Sequence, residues 1–318
     1  MLKMRRGKIK NKKVKGEGGK KMLKKIKVKG LKKLITSILC LVALSTINTS
    51  TFAAEVPEVL RFGLIPTESG TQITDRWQPL FDHIERCLNI KVRAYTASDY
   101  AGIIEAMRFK KIEAAYFGPK SYTDAHLRAN GWAIAREQRL DGSTGYYGVI
   151  ITKKGSGLKT IKDLKGKTYA FNDPNSTSGY LVPMTYFLKE AKIIPEEYFS
   201  RVIFSGSHEA SIMAVKMGKV DAASTNDLDL DREMEAGRIS KDDFNIVWKS
   251  DIIPGSPLVV RGDLSYGFVM KLKKAILTFN DPEGLRKLQL KGFVETKDSD
   301  YNCIREMKRV KEALRKKR

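Results

Sequence analysis

From about residue 58 onward the apolar positions switch repeatedly between two spacings. VLRFGLIP (59–66) alternates and ends in proline, as a strand does. ITDRWQPLFDHIERCL (73–88) instead places Trp77, Leu80, Phe81, Ile84 and Leu88 at helical spacing. IKVRAYT (90–96) predicts a strand, SDYAGIIEAMRFKK (98–111) a helix capped by Ser98 or Asp99, IEAAYFG (112–118) a strand and SYTDAHLRAN (121–130) a helix. A second round begins at YYGVIITKK (146–154), after the turn DGSTG. It continues with a short capped helix at TIKDLKG, strand KTYAFND, helix SGYLVPMTYFLKEA, strand SRVIFSG, helix HEASIMAVKMG, strand KVDAAST and helix DLDLDREMEAG. FNIVWKS and PLVVRG then read as strands, and the chain from YGFVMKLKKAILTF onward reads as helical.

Alternating β and α units with short connections predict an α/β protein with doubly wound sheets. Two such rounds, a mid-chain strand and a late return strand predict two lobes joined by two crossings. Ligands in such sheets sit at the carboxyl ends of the strands, where the connecting loops converge.

The charge changes this picture less than its size suggests. The 318 residues carry 59 Lys/Arg against 36 Asp/Glu, a formal net charge of +23. Residues 1–33 hold 16 of the basic residues and one acid, Glu17, and residues 305–318 hold eight basic and two acidic residues. The body between is near +2. A nucleic-acid binder carries its basic stripe on the folded domain, so the sequence points to no nucleic-acid partner.

The first segment reads as a secretory signal peptide over residues 1–53. Lysines run to Lys33, LITSILCLVALSTI (34–47) is apolar, and Thr51 and Ala53 are placed for cleavage. Met22 is the alternative start, because MLKKIKVKGLKKL is a more ordinary leader than the long basic stretch from Met1. Cys40 is a poor lipidation site, since the residue before it is Leu39 rather than a small one. The mature chain keeps Cys87 and Cys303, which export allows to pair and which burial would equally explain.

Candidate chemistry gathers at strand-to-helix loops. FNDPNSTSGYLVP (171–183) places Ser176, Thr177 and Ser178 between a strand end and a helix start. Unpaired N–H groups and the positive end of the helix dipole make such a start an anion cradle. Gly179 would permit close approach. An ordinary N-cap explains the same hydroxyls, and is the commoner reading locally. No GKS or GKT follows, so this is not a nucleotide P-loop. His208 lies in a second such loop, FSGSHEAS. Tyr100 opens a third helix, and Tyr146 lies where the chain crosses between lobes. Three scattered histidines without paired Cys/His spacing predict no metal site. No GxSxG elbow or acid/base pair predicts an enzyme, and no cofactor motif is present.

These stretches in this order resemble the phosphonate-binding proteins of ABC transporters, which belong to the two-lobed periplasmic solute-binding proteins. The resemblance rests on FGLIPTES (62–69), DYAGIIEAMRF (99–109), RANG (128–131), DGSTGYYGV (141–149), NDPNSTSGYLVP (172–183), GSHEASIMAV (206–215) and VWKSDIIPGSPLV (247–259). It implies the type II periplasmic-binding-protein fold, with each lobe a doubly wound mixed sheet and a two-strand hinge near 147–152 and 246–250. Residues 58–145 plus 255–300 would form lobe 1 and 146–250 lobe 2, leaving 301–318 as a basic C-terminal tail.

The resemblance also implies the site. Ser176, Thr177 and Ser178 would hold the phosphonate oxygens, with His208, Tyr100 and Tyr146 beside them. Where relatives hold an ammonium with two acidic side chains, this chain has Leu228 and Ser256. Asp227 and Asp229 flank Leu228, and Asp227, at the start of its helix, is the better candidate to replace the carboxylate or to accept a proton from the ligand. The implied ligand is therefore a small phosphorus oxyanion without an amine: alkylphosphonate, phosphite or phosphate, with 2-aminoethylphosphonate as the alternative. The implied partners are a membrane permease and its ATPase, and the implied state is a periplasmic monomer. A sensor-type subunit feeding a signalling receptor is the other alternative.

Overall fold

The computed structural model describes residues 56–316. The expected signal peptide, the alternative start at Met22 and Cys40 lie outside those residues. Among the described residues eleven strands form two mixed sheets. The first holds β1 (Val59–Leu64), β2 (Lys91–Thr96), β3 (Ala114–Tyr116), β4 (Gly131–Arg139), β10 (Pro257–Arg261) and β11 (Leu290–Glu295), in the order β11-β4-β10-β3-β1-β2. The second holds β5 (Gly145–Lys153), β6 (Thr168–Phe171), β7 (Arg201–Phe204), β8 (Ala222–Asn226) and β9 (Phe244–Pro254), in the order β7-β6-β8-β5-β9.

The parallel strands are those that feed helices. β1 pairs in parallel with β2 and β3, and β6 with β7 and β8. β10 and β5 enter antiparallel, as strands arriving from the other lobe must. Helix Gly70–Leu88 buries Trp77, Leu80, Phe81 and Ile84 against the first sheet, as its spacing predicts. Phe171, Met184 and Phe187 fill the core beneath one face of the second sheet, and Ile212, Val215 and Leu230 the other.

Three expectations change. The strands near 147–152 and 246–250, expected to make the hinge, belong to the second sheet as β5 and β9. The chain crosses just beyond them, between β4 and β5 and between β9 and β10. There Gly145 pairs with Pro254, and Gly255 donates its N–H to the Thr144 carbonyl at 2.8 Å. A Cβ on Gly255 would stand 2.9 Å from that carbonyl oxygen, so the two crossings touch only because the side chain is missing.

The region expected to be helical to its end contains β11, whose exposed Lys291 and Glu295 dilute its alternation. β4 carries no strand signal either, because Glu137 occupies a buried position. Finally, the described part of the expected tail, residues 301–316, is folded. Asn302–Lys316 is a helix laid across both lobes. Lys308 bonds to Asp124 of the first lobe, Arg315 to Glu196 of the second, and Ile304 is buried among Tyr146, Leu181, Val182, Leu228 and Ile253. Its basic residues are therefore partly used in bridging rather than merely solvated. Cys87 and Cys303 are free and exposed, neither bonded nor buried.

Candidate functional site

The six parallel strands end at one place. Thr67 follows β1, Tyr100 follows β2, and Tyr116 and Gly118 end β3. Ser176–Ser178 follow β6, His208 follows β7, and Asn226 ends β8. All of them line one cavity of about 20 Å³ between the lobes. This is where open α/β sheets present their loops.

Five helical segments begin at the cavity wall: Tyr100–Arg108, Pro119–Ala129, Thr177–Leu181, His208–Lys216 and Asp227–Glu235. Each contributes the positive end of its dipole and first-turn N–H groups. The caps are built locally. Asp99 accepts from Gly102 N–H, Ser176 from Gly179, Ser207 from Ala210 and Asn226 from Asp229. Ser176 is thus both an ordinary N-cap and a wall of the cavity. Gly179 makes its close approach to Asn172 rather than to the cavity: a Cβ there would lie 2.3 Å from the Asn172 Cβ. The π-helical turn Thr177–Leu181 carries the hydroxyl trio forward from that contact.

The structure brings six of the seven expected residues together. Tyr100, Tyr146, Ser176, Thr177, Ser178 and His208 all line the cavity and are all buried. Tyr146 lines the cavity with Thr177 and Ser178, and burial holds its pKa well above the usual tyrosine value. His208 sits between Thr225 Oγ1 at 3.1 Å and Ser176 Oγ at 3.5 Å. Burial pushes its imidazole below its usual value, more than Asp229 raises it, so the ring is neutral at neutral pH. His83 and His126 bond to the carbonyls of Ala275 and Gly131 instead.

Asp227 is the exception. Its carboxylate faces away, accepting from Arg139 at 2.5 Å and from Tyr147 N–H at 2.9 Å. The carboxylate at the cavity belongs to Asp229, two residues on. The helix decides this: Asn226 is the cap, so residue 229 in the first turn points inward while residue 227 points to the crossing strand.

Sequence reasoning missed Arg232, which lines the same cavity. Arg232 donates to Asp229 Oδ1 at 3.0 Å and lies 3.6 Å from Glu137 on β4. Although burial opposes it, Asp229 and the neighbouring acids hold the guanidinium firmly charged. Burial likewise opposes the Asp229 charge, but His208, once protonated in acid, together with Arg232 and Arg76 outweighs it and keeps that carboxyl below its usual value. Arg76 pairs with Glu68 at 3.0 Å behind the cavity. Leu228, Ser256 and Tyr116 also line the cavity.

The lobes also meet directly around the cavity. Thr177 Oγ1 accepts from Lys120 N–H at 2.8 Å, Thr67 O from Glu209 N–H at 3.2 Å, and Glu209 Oε2 from Ser69 N–H at 3.0 Å. Among the described residues no cluster of three or more His, Cys, Asp or Glu is disposed to hold a metal, and no helix is long and apolar enough to cross a membrane.

A family model described as "ABC transporter, phosphonate, periplasmic substrate-binding protein" matches residues 62–301. The chain belongs to that family. The phosphonates-binding periplasmic protein of Escherichia coli K12 is 36% identical over 281 residues, covering 85% of this chain and 82% of that protein. A binding-protein component of an ABC phosphonate transporter from Pseudomonas aeruginosa superposes with a TM-score of 0.77 at 32% identity, over 82% of this chain and 88% of that one. PhnD1 of Prochlorococcus marinus, solved with methylphosphonate, superposes with a TM-score of 0.72 at 26% identity, over 80% of this chain and 98% of that one. The fold is accordingly that of the type II periplasmic binding proteins: two mixed-sheet lobes and a two-strand connection.

Proposed function

We propose that the cavity holds a small phosphorus oxyanion without an amine, as an alkylphosphonate, phosphite or phosphate, and that the protein delivers it to a membrane permease driven by an ATPase. The observation that carries this reading is the convergence of five helix N-termini on a cavity between the lobes walled by hydroxyls, a neutral imidazole and the paired Asp229 and Arg232. Such a wall stabilises an anion without a dedicated lysine. The ligand residues would be Tyr100, Tyr146, Ser176, Thr177, Ser178 and His208.

An ammonium group finds little here. Leu228 and Ser256 offer it no charge. Burying an unpaired ammonium costs several kcal/mol. The methylphosphonate bound by the Prochlorococcus relative is an amine-free phosphonate, which supports the same choice.

Capture would proceed by lobe closure about the crossings at Gly145 and Gly255, excluding water so that neutral hydrogen bonds act at full strength. Residues 1–53 would serve as the export signal, with Cys40 unlipidated. The chain would act as a monomer and catalyse nothing.

Calorimetric titration of the mature protein with methylphosphonate, phosphite, phosphate and 2-aminoethylphosphonate tests this. Micromolar or tighter binding of one of the first three is expected. Tight binding of 2-aminoethylphosphonate with none of the others would overturn the amine-free reading.

A further inference from the structure

Every polar group lining the cavity except one can donate a hydrogen bond. Hydroxyls, tyrosines, the amide of Asn226, the imidazole of His208 and the guanidinium of Arg232 all do so. Asp229 can only accept. Its Oδ2 takes a hydrogen bond from Asn226 Nδ2 at 2.6 Å and its Oδ1 one from Arg232 at 3.0 Å. A carboxylate oxygen has two lone pairs, so neither bond saturates the oxygen that makes it. An anion seated beside a buried carboxylate is repelled unless it offers a proton of its own.

The surrounding charge gives no relief. Arg232 on the same helix and Arg76 from the first lobe face Asp229, together with Glu68 beside Arg76, Glu137 on β4, neutral His208 and the tyrosines Tyr100 and Tyr116. Two guanidinium groups stand against three carboxyl groups. These side chains hold no excess positive charge with which to bind a dianion.

Resting on the phosphorus-oxyanion reading above, we propose that Asp229 is a specificity determinant that requires a protonated ligand oxygen. The species bound is the monoprotonated monoanion of a phosphonate or of phosphite, or the doubly protonated monoanion of phosphate. The P–OH donates to the Asp229 carboxylate, and the remaining oxygens accept from the hydroxyl trio and the helix N-termini. Sulfate has the same shape but no proton to donate at neutral pH, and is refused.

The test is calorimetric titration of the mature protein with methylphosphonate from about pH 6 to about pH 9, with sulfate as the control anion. Above the second pKa of methylphosphonate the affinity falls about tenfold per pH unit. At the alkaline end each binding event takes up one proton, read by repeating the titration in buffers of different ionisation enthalpy. Sulfate binds roughly 10⁴-fold more weakly, as expected where a buried group is left unpaired by the wrong analogue. In D229N the pH slope flattens and sulfate gains affinity.

The wild-type slope and proton count stand even if D229N folds poorly. Methylphosphonate affinity that stays level or rises to about pH 9, without proton uptake, overturns the role of Asp229 while leaving the ligand reading intact. Failure of methylphosphonate, phosphite and phosphate to bind at any pH overturns that reading and this proposal with it.

Discussion

The Thr177 hydroxyl accepts the backbone N–H of Lys120 at 2.8 Å, joining the second lobe to the first at the wall of the cavity. Lys120 is the second residue of helix Pro119–Ala129, so its N–H is one of the first-turn donors that no helical carbonyl reaches. The same threonine lines the cavity together with Tyr146. One hydroxyl therefore serves both lobe contact and cavity lining.

Thr177→Ala combined with His208→Ala removes that contact and the cavity's imidazole together. The double variant is expected to keep its cooperative unfolding and lose methylphosphonate binding by about 10²-fold or more, from two hydrogen bonds at roughly 1–2 kcal/mol each. Titration calorimetry beside circular dichroism checks it. Unchanged affinity would remove both residues from the site.

The C-terminal helix supplies a second prediction. Ile304 is 1% exposed and packs against Tyr146 and Leu228, which line the cavity. Ile304→Ala should destabilise the protein by about 2–5 kcal/mol, read from the urea midpoint, and weaken ligand binding as the wall loosens. Arg309→Ala, on the exposed face with only Glu306 as partner, should cost less than about 1 kcal/mol.

Arg232 links Asp229 of one lobe to Glu137 of the other. Arg232→Met leaves two buried carboxyl groups without their shared cation. A loss of about 3–5 kcal/mol is expected, with a partial recovery in the triple variant that also carries Asp229→Asn and Glu137→Gln. Denaturation of the three proteins at one pH measures it; an Arg232→Met variant as stable as wild type would contradict the pairing.

His208 makes stability depend on pH. Burial holds its folded pKa below the unfolded value of about 6.5. The unfolded chain then binds a proton that the native one does not, so stability is full above about pH 6.5 and falls as pH drops from there to the folded value. Glu68 and Glu137, raised by burial, contribute in the opposite sense. The difference in melting temperature between wild type and His208→Gln, followed without ligand from about pH 7.5 to about pH 5, isolates the histidine. A difference that does not change with pH would place His208 in water.

Local order alone determined much of this protein. The alternation of strand and helix spacings marks the six parallel strands, and the small polar residues at 99, 176, 207 and 226 mark helix starts because a cap satisfies N–H groups within three residues of itself. The cavity follows from those starts, since loops at the carboxyl ends of parallel strands must converge. What the tertiary structure decided involves partners far apart in the chain. Glu137 is buried in β4 because Arg232, 95 residues on, lies 3.6 Å away. Asp229 rather than Asp227 faces the cavity because Arg139 and Tyr147 claim the latter. The basic end of the chain is a bridging helix because Ile304 finds an apolar seat and Asp124 and Glu196 lie under its cations. Periodicity reports which face of an element is buried; which charge meets which across a closed cleft is set only when the sheets are placed.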